Sequence, residues 1–200
     1  MANKPLSILV AGPDADATWP VEDGLAGAGG RDRFADRIVV VHGFADLAVR
    51  VAALAPDAVV AVLETSDPAT LDGVFRLARS GACAVVLFAD KAPPGAAAQA
   101  AEAGVAAFVL DGLHPARVRP ILETALARYA AFETLKRERD EARTQLADRK
   151  LIERAKGILM QQKSLTEEAA YNALRKAAMK QGRRIADIAQ SVITAAEIEL

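Results

Sequence analysis

Lys150 and Arg154 stand four residues apart, as do Tyr171 and Arg175, and Lys176 and Lys180. On a helix, residues four apart are neighbours on one face. Faces built from lysine, arginine and tyrosine suit an anionic partner. The distribution of charge points the same way. The net charge of −1 hides an asymmetry. Residues 1–120 carry 10 basic and 14 acidic side chains, whereas residues 121–200 carry 15 basic and 12 acidic. Within 149–187 there are 10 basic and 4 acidic residues. A positive segment joined to a negative one suggests a polyanion partner for the positive end. The same charges also suit a solvated helical surface.

Catalytic chemistry finds little support. The single cysteine, Cys83, sits in the apolar run Ala82–Val86 and reads as a buried, inert thiol. His42 ends a predicted strand and His114 precedes Pro115, and neither has a second metal ligand at useful spacing. There is no nucleophile–base pair and no glycine-rich phosphate loop after a strand. An enzyme is not expected, and neither a metal nor a cofactor is called for. No apolar run reaches the roughly 18 residues that span a bilayer. No charged n-region with a following apolar h-region opens the chain, so no signal peptide is expected. A bacterial cytoplasmic protein is the resulting expectation.

The elements that position these residues fall into three stretches. In the first 120 residues, short apolar runs alternate with amphipathic ones. Strands are predicted at Leu6–Ala11, Arg37–His42, Ala58–Leu63, Ala84–Phe88 and Ala106–Leu110, each reading as a strand buried on both faces. Helices are predicted near 21–30, 44–54, 68–80, 94–103 and 115–127. The first is weak, because Gly24, Gly27, Gly29 and Gly30 disfavour a regular helix. Five such units imply a parallel sheet with right-handed crossovers and a site at the carboxyl ends of the strands.

This order, with phrases such as Pro56–Asp57–Ala58–Val59–Val60, resembles the receiver domain of two-component response regulators. The resemblance implies a flavodoxin-like α/β fold with a five-stranded parallel sheet. It also implies an acidic pair for Mg²⁺, an aspartate phosphoacceptor, a Thr or Ser, and a Lys at the strand ends. Those positions fall on Ala11 and Gly12, Val62, Ala89 and Asp111, all chemically wrong for the task. Asp14, Asp16, Glu64, Asp67 and Asp90 lie nearby. Asp14, Asp16 and Asp67 read as turn and cap residues. The expectation is a pseudo-receiver, controlled by protein binding rather than phosphorylation.

From Arg117 to Lys163 the chain reads as one helix. Pro120 is compatible with its first turn, and no glycine occurs before Gly157. Leu122, Ala125, Tyr129, Phe132, Leu135, Ala142 and Leu146 approximate a heptad seam, with slips at Lys136 and Arg139. Charged flanks beside an apolar stripe predict a dimeric coiled coil. A single helix packed on its own domains is the other reading.

Three helical patterns finish the chain. Leu151, Ile152, Ala155, Ile158 and Leu159 mark the buried side of the first, with Met160 also read as core. Ser164 or Thr166 caps the second, Glu167 and Glu168 occupy its positive end, and Gln181–Gly182 stops it. Its apolar set is Ala169, Ala170, Ala173, Leu174 and Ala177. Ile185, Ile188, Ala189, Val192, Ile193 and Ala196 define the third.

The string Arg149–Lys150–Leu151–Ile152–Glu153–Arg154–Ala155–Lys156–Gly157–Ile158–Leu159–Met160 resembles the signature of the ANTAR family of RNA-binding antiterminator domains. So do Glu168–Tyr171, Leu174–Met179 and Arg184–Ala189. The phrases Val109–Leu113 and Arg117–Leu122 are similar to the nitrate-assimilation branch.

The resemblance implies binding of paired stem-loops in nascent leader RNA, which prevents a terminator hairpin. Phosphate or loop contact is then expected of Lys150, Arg154, Lys156, Arg175, Lys176 and Lys180. Tyr171 would stack on a base or sit in the core, and Gly157 would permit close approach of RNA or a helix. A homodimer through the stalk and a nitrate/nitrite-sensor protein are the expected partners.

The resulting division is a pseudo-receiver over 1–120, a helical coiled-coil connector over 121–148 and a three-helix RNA-binding module over 149–200. Two alternatives stay open: a DNA-binding response regulator, and a protein-interaction scaffold that binds no nucleic acid. Against the first, the exposed positions of the last helix, Asp187, Gln190, Glu197 and Glu199, are mostly acidic.

Overall fold

The structure is a computed structural model that describes residues 6–26, 35, 37–64 and 67–198. Five strands, β1 (Ser7–Gly12), β2 (Arg37–His42), β3 (Ala58–Leu63), β4 (Ala84–Ala89) and β5 (Ala107–Leu110), form one sheet in the order β2-β1-β3-β4-β5. Every pairing is parallel. The linking helices are α1 (Ala15–Ala26), α2 (Leu47–Leu54), α3 (Pro68–Ser80) and α4 (Ala96–Glu102). They are followed by α5 (Pro115–Lys163), α6 (Glu167–Gln181) and α7 (Ile185–Ile198). The fold is receiver-like: a five-stranded parallel sheet, then a long helix and two shorter ones.

The apolar runs become central strands because both faces of the sheet are covered. Leu9, Ala11, Val59, Ala61, Val85 and Leu87 face one core with Leu47, Val51, Leu71, Val74 and Phe75 of α2 and α3. Ile8, Val10, Val60, Val62, Val86 and Phe88 face the other with Val21, Leu25, Val118, Leu122 and Ala125 of α1 and α5. Alternation along each strand thus feeds two cores.

The predicted strands match to within a residue at either end. The helix predicted near 21–30 instead begins at Ala15, and residues 27–30 lie outside the described ones. Gly24 is a poor helix former whose missing side chain is used. A Cβ there would lie 2.4 Å from the Pro115 carbonyl oxygen and 2.9 Å from Val118 Cβ. Glycine therefore lets α1 approach the start of α5.

Contacts divide the chain into two compact units, Met1–Phe132 and Glu133–Leu200. The first takes in the opening turns of α5, whose Tyr129 hydroxyl donates to the Gly81 carbonyl at 2.7 Å. Leu122 and Ala125 are each 1% exposed in its core. Three of the seven predicted seam positions, Leu122, Ala125 and Tyr129, are therefore receiver core, because an amphipathic stripe does not say what it packs against. Phe132, Leu135 and Leu146 stay exposed on α5.

In the second unit the end of α5 packs with α6 and α7 around Ala155, Leu159, Ala170, Leu174, Ala178, Ile188, Ala189 and Ile193. Thr166 is the cap: its Oγ1 accepts from Ala169 N at 3.2 Å. Gly182 ends α6 with φ of 60°, and Arg183 N reaches back to the Ala178 carbonyl at 3.1 Å. The apolar set of α6 is shifted from the one read in the sequence. Ala173 is exposed and Ala178 is buried. Met160, expected in the core, is 39% exposed.

Cys83 is buried. Burial, with the nearby Asp57 charge, pushes its thiol up to about 11 from an ordinary 9.0. The neutral thiol favours the fold fully below 9.0, and that contribution is lost as pH rises toward 11. A disulfide reagent at pH 8 is expected to leave the native chain unlabelled and to label it fully in denaturant. Rapid labelling of native protein would contradict this placement.

Candidate nucleic-acid interface

The carboxyl ends of the strands come first, since a receiver does its chemistry there. Ala11 and Gly12 end β1, Val62 is the penultimate residue of β3, Ala89 ends β4, and Asp111 follows β5 at φ 46°. They gather where the sequence alignment put them, but the first four offer no side-chain oxygen. A Cβ at Gly12 would meet Thr18 Cγ2 at 2.5 Å, so a larger residue is excluded at that point.

Two of the neighbouring acids, Asp14 and Asp67, are used as caps. Asp14 Oδ1 accepts from Ala17 N at 3.0 Å. Asp67 Oδ1 accepts from Ala69 N at 2.9 Å and Thr70 N at 3.1 Å. A hydrogen bond from the Thr70 side chain, together with these backbone bonds, holds the Asp67 carboxyl below its ordinary value. Among the described residues no three His, Cys, Asp or Glu side chains converge as metal ligands would.

Beyond the ion pairs that Lys136, Arg137 and Arg139 make along α5, two sets of cations stand out in the second unit. Three are engaged by acids. Arg154 Nη2 donates to Glu197 Oε1 at 2.8 Å. Arg184 reaches Asp187 at 3.1 Å and Asp148 at 3.5 Å. Lys156 differs from the rest, because it is 7% exposed. Its Nζ donates to Glu167 Oε1 at 2.7 Å and to Glu153 Oε2 at 2.9 Å. Lys156 therefore ties the first turn of α6 to α5 and is set apart from the exposed basic residues with which its sequence grouped it.

The Glu167 hydrogen bond is the main cause that raises the Lys156 ammonium above its ordinary value, and Lys156 in turn lowers Glu167. The Glu167 contribution is present above the ordinary carboxylate value of 4.5 and is lost as pH falls through the lower folded value. The Lys156 contribution is full below 10.5 and is lost as pH rises through the higher folded value. Glu167→Gln is expected to lower the melting temperature of this unit at neutral pH. That difference should close as pH falls well below 4.5; a constant difference would contradict the pairing.

The second set is unpaired. Lys150, Arg175, Lys176, Lys180 and Arg183 are exposed and make no ion pair among the described residues. On α6 the acids are confined to the first turn, at Glu167 and Glu168. Residues 171–184 then hold five Lys and Arg and no Asp or Glu. Tyr171, 40% exposed, flanks this stretch rather than closing over the core. Gly157 has open space above it: a Cβ there would meet nothing within 4 Å. No helix packs closely against that point. The arrangement can hold a chain of phosphates along α6 while leaving apolar surface beside it.

Residues 140–193 match the ANTAR domain. The ANTAR domain thus lies within the second unit. Two curated relatives are similar to parts of the chain. The chain is 26% identical over 138 residues to the transcriptional regulatory protein PdtaR of Mycobacterium tuberculosis, which covers 69% of this chain and 67% of that protein. It is 47% identical over 49 residues to the nitrate regulatory protein of Klebsiella oxytoca, covering 24% of this chain and 12% of that one.

The amino-terminal unit is matched by solved receiver domains. One is the CheY-like receiver protein of Methanospirillum hungatei, with a TM-score of 0.51, 10% identity, and coverage of 64% of this chain and 98% of that chain. The receiver domain of a modulated diguanylate cyclase from Desulfovibrio desulfuricans gives 0.51 at 13% identity, with the same coverage. These likenesses concern the fold alone. The named relatives are regulatory proteins, and no described helix is long and apolar enough to cross a membrane.

Proposed function

We propose that this chain is an RNA-binding transcription antitermination regulator. Its ANTAR domain holds paired stem-loops in nascent leader RNA and so prevents the terminator hairpin from forming. The observation that carries this reading is the row of unpaired cations on α6, free of acids for more than three turns. RNA loops offer phosphates to such a row and splayed bases to the apolar side chains beside it. The acidic positions Asp187 and Glu197 on α7 engage Arg184 and Arg154, which leaves α7 without a basic recognition face for duplex DNA.

The degenerate strand ends support control by a partner protein instead of phosphorylation. The likeness to the nitrate regulatory protein favours nitrate or nitrogen assimilation as the setting, with a nitrate/nitrite-sensor protein as that partner. Phe132, Leu135 and Leu146, exposed on α5 beside ion pairs such as Arg137 with Glu141, support a homodimer through this helix. A cytoplasmic location follows from a partner made during transcription.

Binding of the full chain to a two-stem-loop RNA across a salt series, beside a DNA duplex of equal length, tests the reading. Tight RNA binding that weakens steeply with salt is expected, with weaker binding to the duplex. Equal binding to the duplex would favour the DNA reading, and no binding to either would favour a protein-interaction scaffold. Incubation with acetyl phosphate and Mg²⁺ is expected to leave the intact mass unchanged. A stoichiometric phosphoryl adduct that altered RNA affinity would overturn the account of control.

A further inference from the structure

Met179 is 75% exposed, the most exposed of the large hydrophobic residues among those described. It does not belong to the core face of α6, which is made by Ala170, Leu174 and Ala178. At about 100° per residue, Met179 falls close to the point opposite that face. Residues three, four and seven before it on a helix are its surface neighbours. Those are Lys176, Arg175 and Asn172, all exposed. An unbranched thioether is thus ringed by a primary amide and two cations that make no ion pair among the described residues. The apolar tip stands alone among these polar neighbours, whereas a protein-facing patch would be expected to carry several apolar side chains together.

We infer that Asn172 and Met179 form a reading site for one unpaired base of an RNA loop, with Arg175 and Lys176 on the phosphates either side of it. The inference rests on the RNA-binding reading above and assigns a division of labour within it. Phosphate contacts fix position but carry no sequence information, so selection among loops needs groups that touch bases. The flat face of a splayed base packs on the polarizable thioether. The Asn172 amide offers both a donor and an acceptor to the base edge. The charge around the pair is of the sign an RNA backbone requires. No carboxylate of α6 lies beyond its first turn to repel it.

The full chain and its Met179→Ala and Asn172→Ala variants would be titrated with a two-stem-loop RNA. A panel in which each loop position is changed in turn would be run beside it. Both side chains are exposed, so the variants should melt as the parent does. Met179→Ala is expected to weaken binding to the preferred loop by about tenfold, the scale of one lost base contact. It should flatten the preferences across the panel and leave the slope of log affinity against log salt unchanged. Asn172→Ala should flatten the preference at a single loop position. Unchanged affinities across the panel would overturn the assignment and leave this tip to a protein partner. A uniform loss on every RNA, including a fully paired stem, would also overturn it, because no loop base would be involved. If the parent chain itself bound none of these RNAs, the broader RNA reading would fail first and this site with it.

Discussion

A chain with Arg175 and Lys176 both replaced by glutamate is expected to bind a two-stem-loop RNA about 100-fold or more weakly. Hydrogen bonds to charged groups contribute roughly 1.5–3 kcal/mol each, so the loss of two accounts for that factor before any repulsion is added. The slope of log affinity against log salt should fall by about two, one for each phosphate released. Among the described residues neither cation has an acid partner, so the variant breaks no ion pair there. Arg184→Glu makes the useful contrast. Arg184 is already engaged by Asp187 and Asp148, and its removal should change the RNA slope less while lowering the stability of the unit. If the double variant bound like the parent, the unpaired face of α6 would not be the RNA surface.

The second large effect is on folding. Leu174 is 1% exposed at the centre of the ANTAR core. Truncating a buried leucine to alanine costs about 2–5 kcal/mol. A module of this size has only a few kcal/mol of stability in total, since domains hold roughly 0.05–0.15 kcal/mol per residue. Leu174→Ala should therefore unfold the carboxyl-terminal unit near physiological temperature and leave the receiver-like unit folded. Calorimetry is expected to show one transition moved down and one unmoved. Hydrogen exchange should show protection lost in α6 and α7 but kept in β1, β3 and β4. A single transition shifted as a whole would mean that the two units unfold together.

What could be read from the sequence follows from what each pattern encodes. A strand buried on both faces needs an unbroken apolar run, and Ala58–Leu63 and Ala84–Phe88 supply one, so the sheet was legible nearly to the residue. A helix start at Ala15 was not, because Pro20 and Gly24 argue against a helix that tertiary contact with Pro115 and Val118 nonetheless sustains. The heptad-like seam was ambiguous for a different reason. Periodicity records that a face is apolar and not whether it meets a sheet, as Leu122 and Ala125 do, or stays open, as Leu135 does.

The basic face was legible as a set but not in its members. Spacing could not show that Lys156 lies against Glu153 and Glu167 or that Arg154 reaches Glu197, 43 residues away. Nor did it single out Met179 or Asn172. One signal was present: on a helical wheel, position 179 falls opposite 170 and 174, which puts a methionine on the polar face of α6.

The central claim, that this chain acts on transcription by holding RNA through its ANTAR domain, is tested most directly by transcription itself. A leader template carrying two stem-loops before a terminator would be transcribed by purified polymerase, with the parent chain or the Arg175→Glu/Lys176→Glu variant added. The account predicts that the parent raises the fraction of full-length transcript as its concentration rises, and that the variant does not. If read-through stayed unchanged at concentrations that saturate the same RNA in a binding assay, binding would not be antitermination, and the claim would be contradicted.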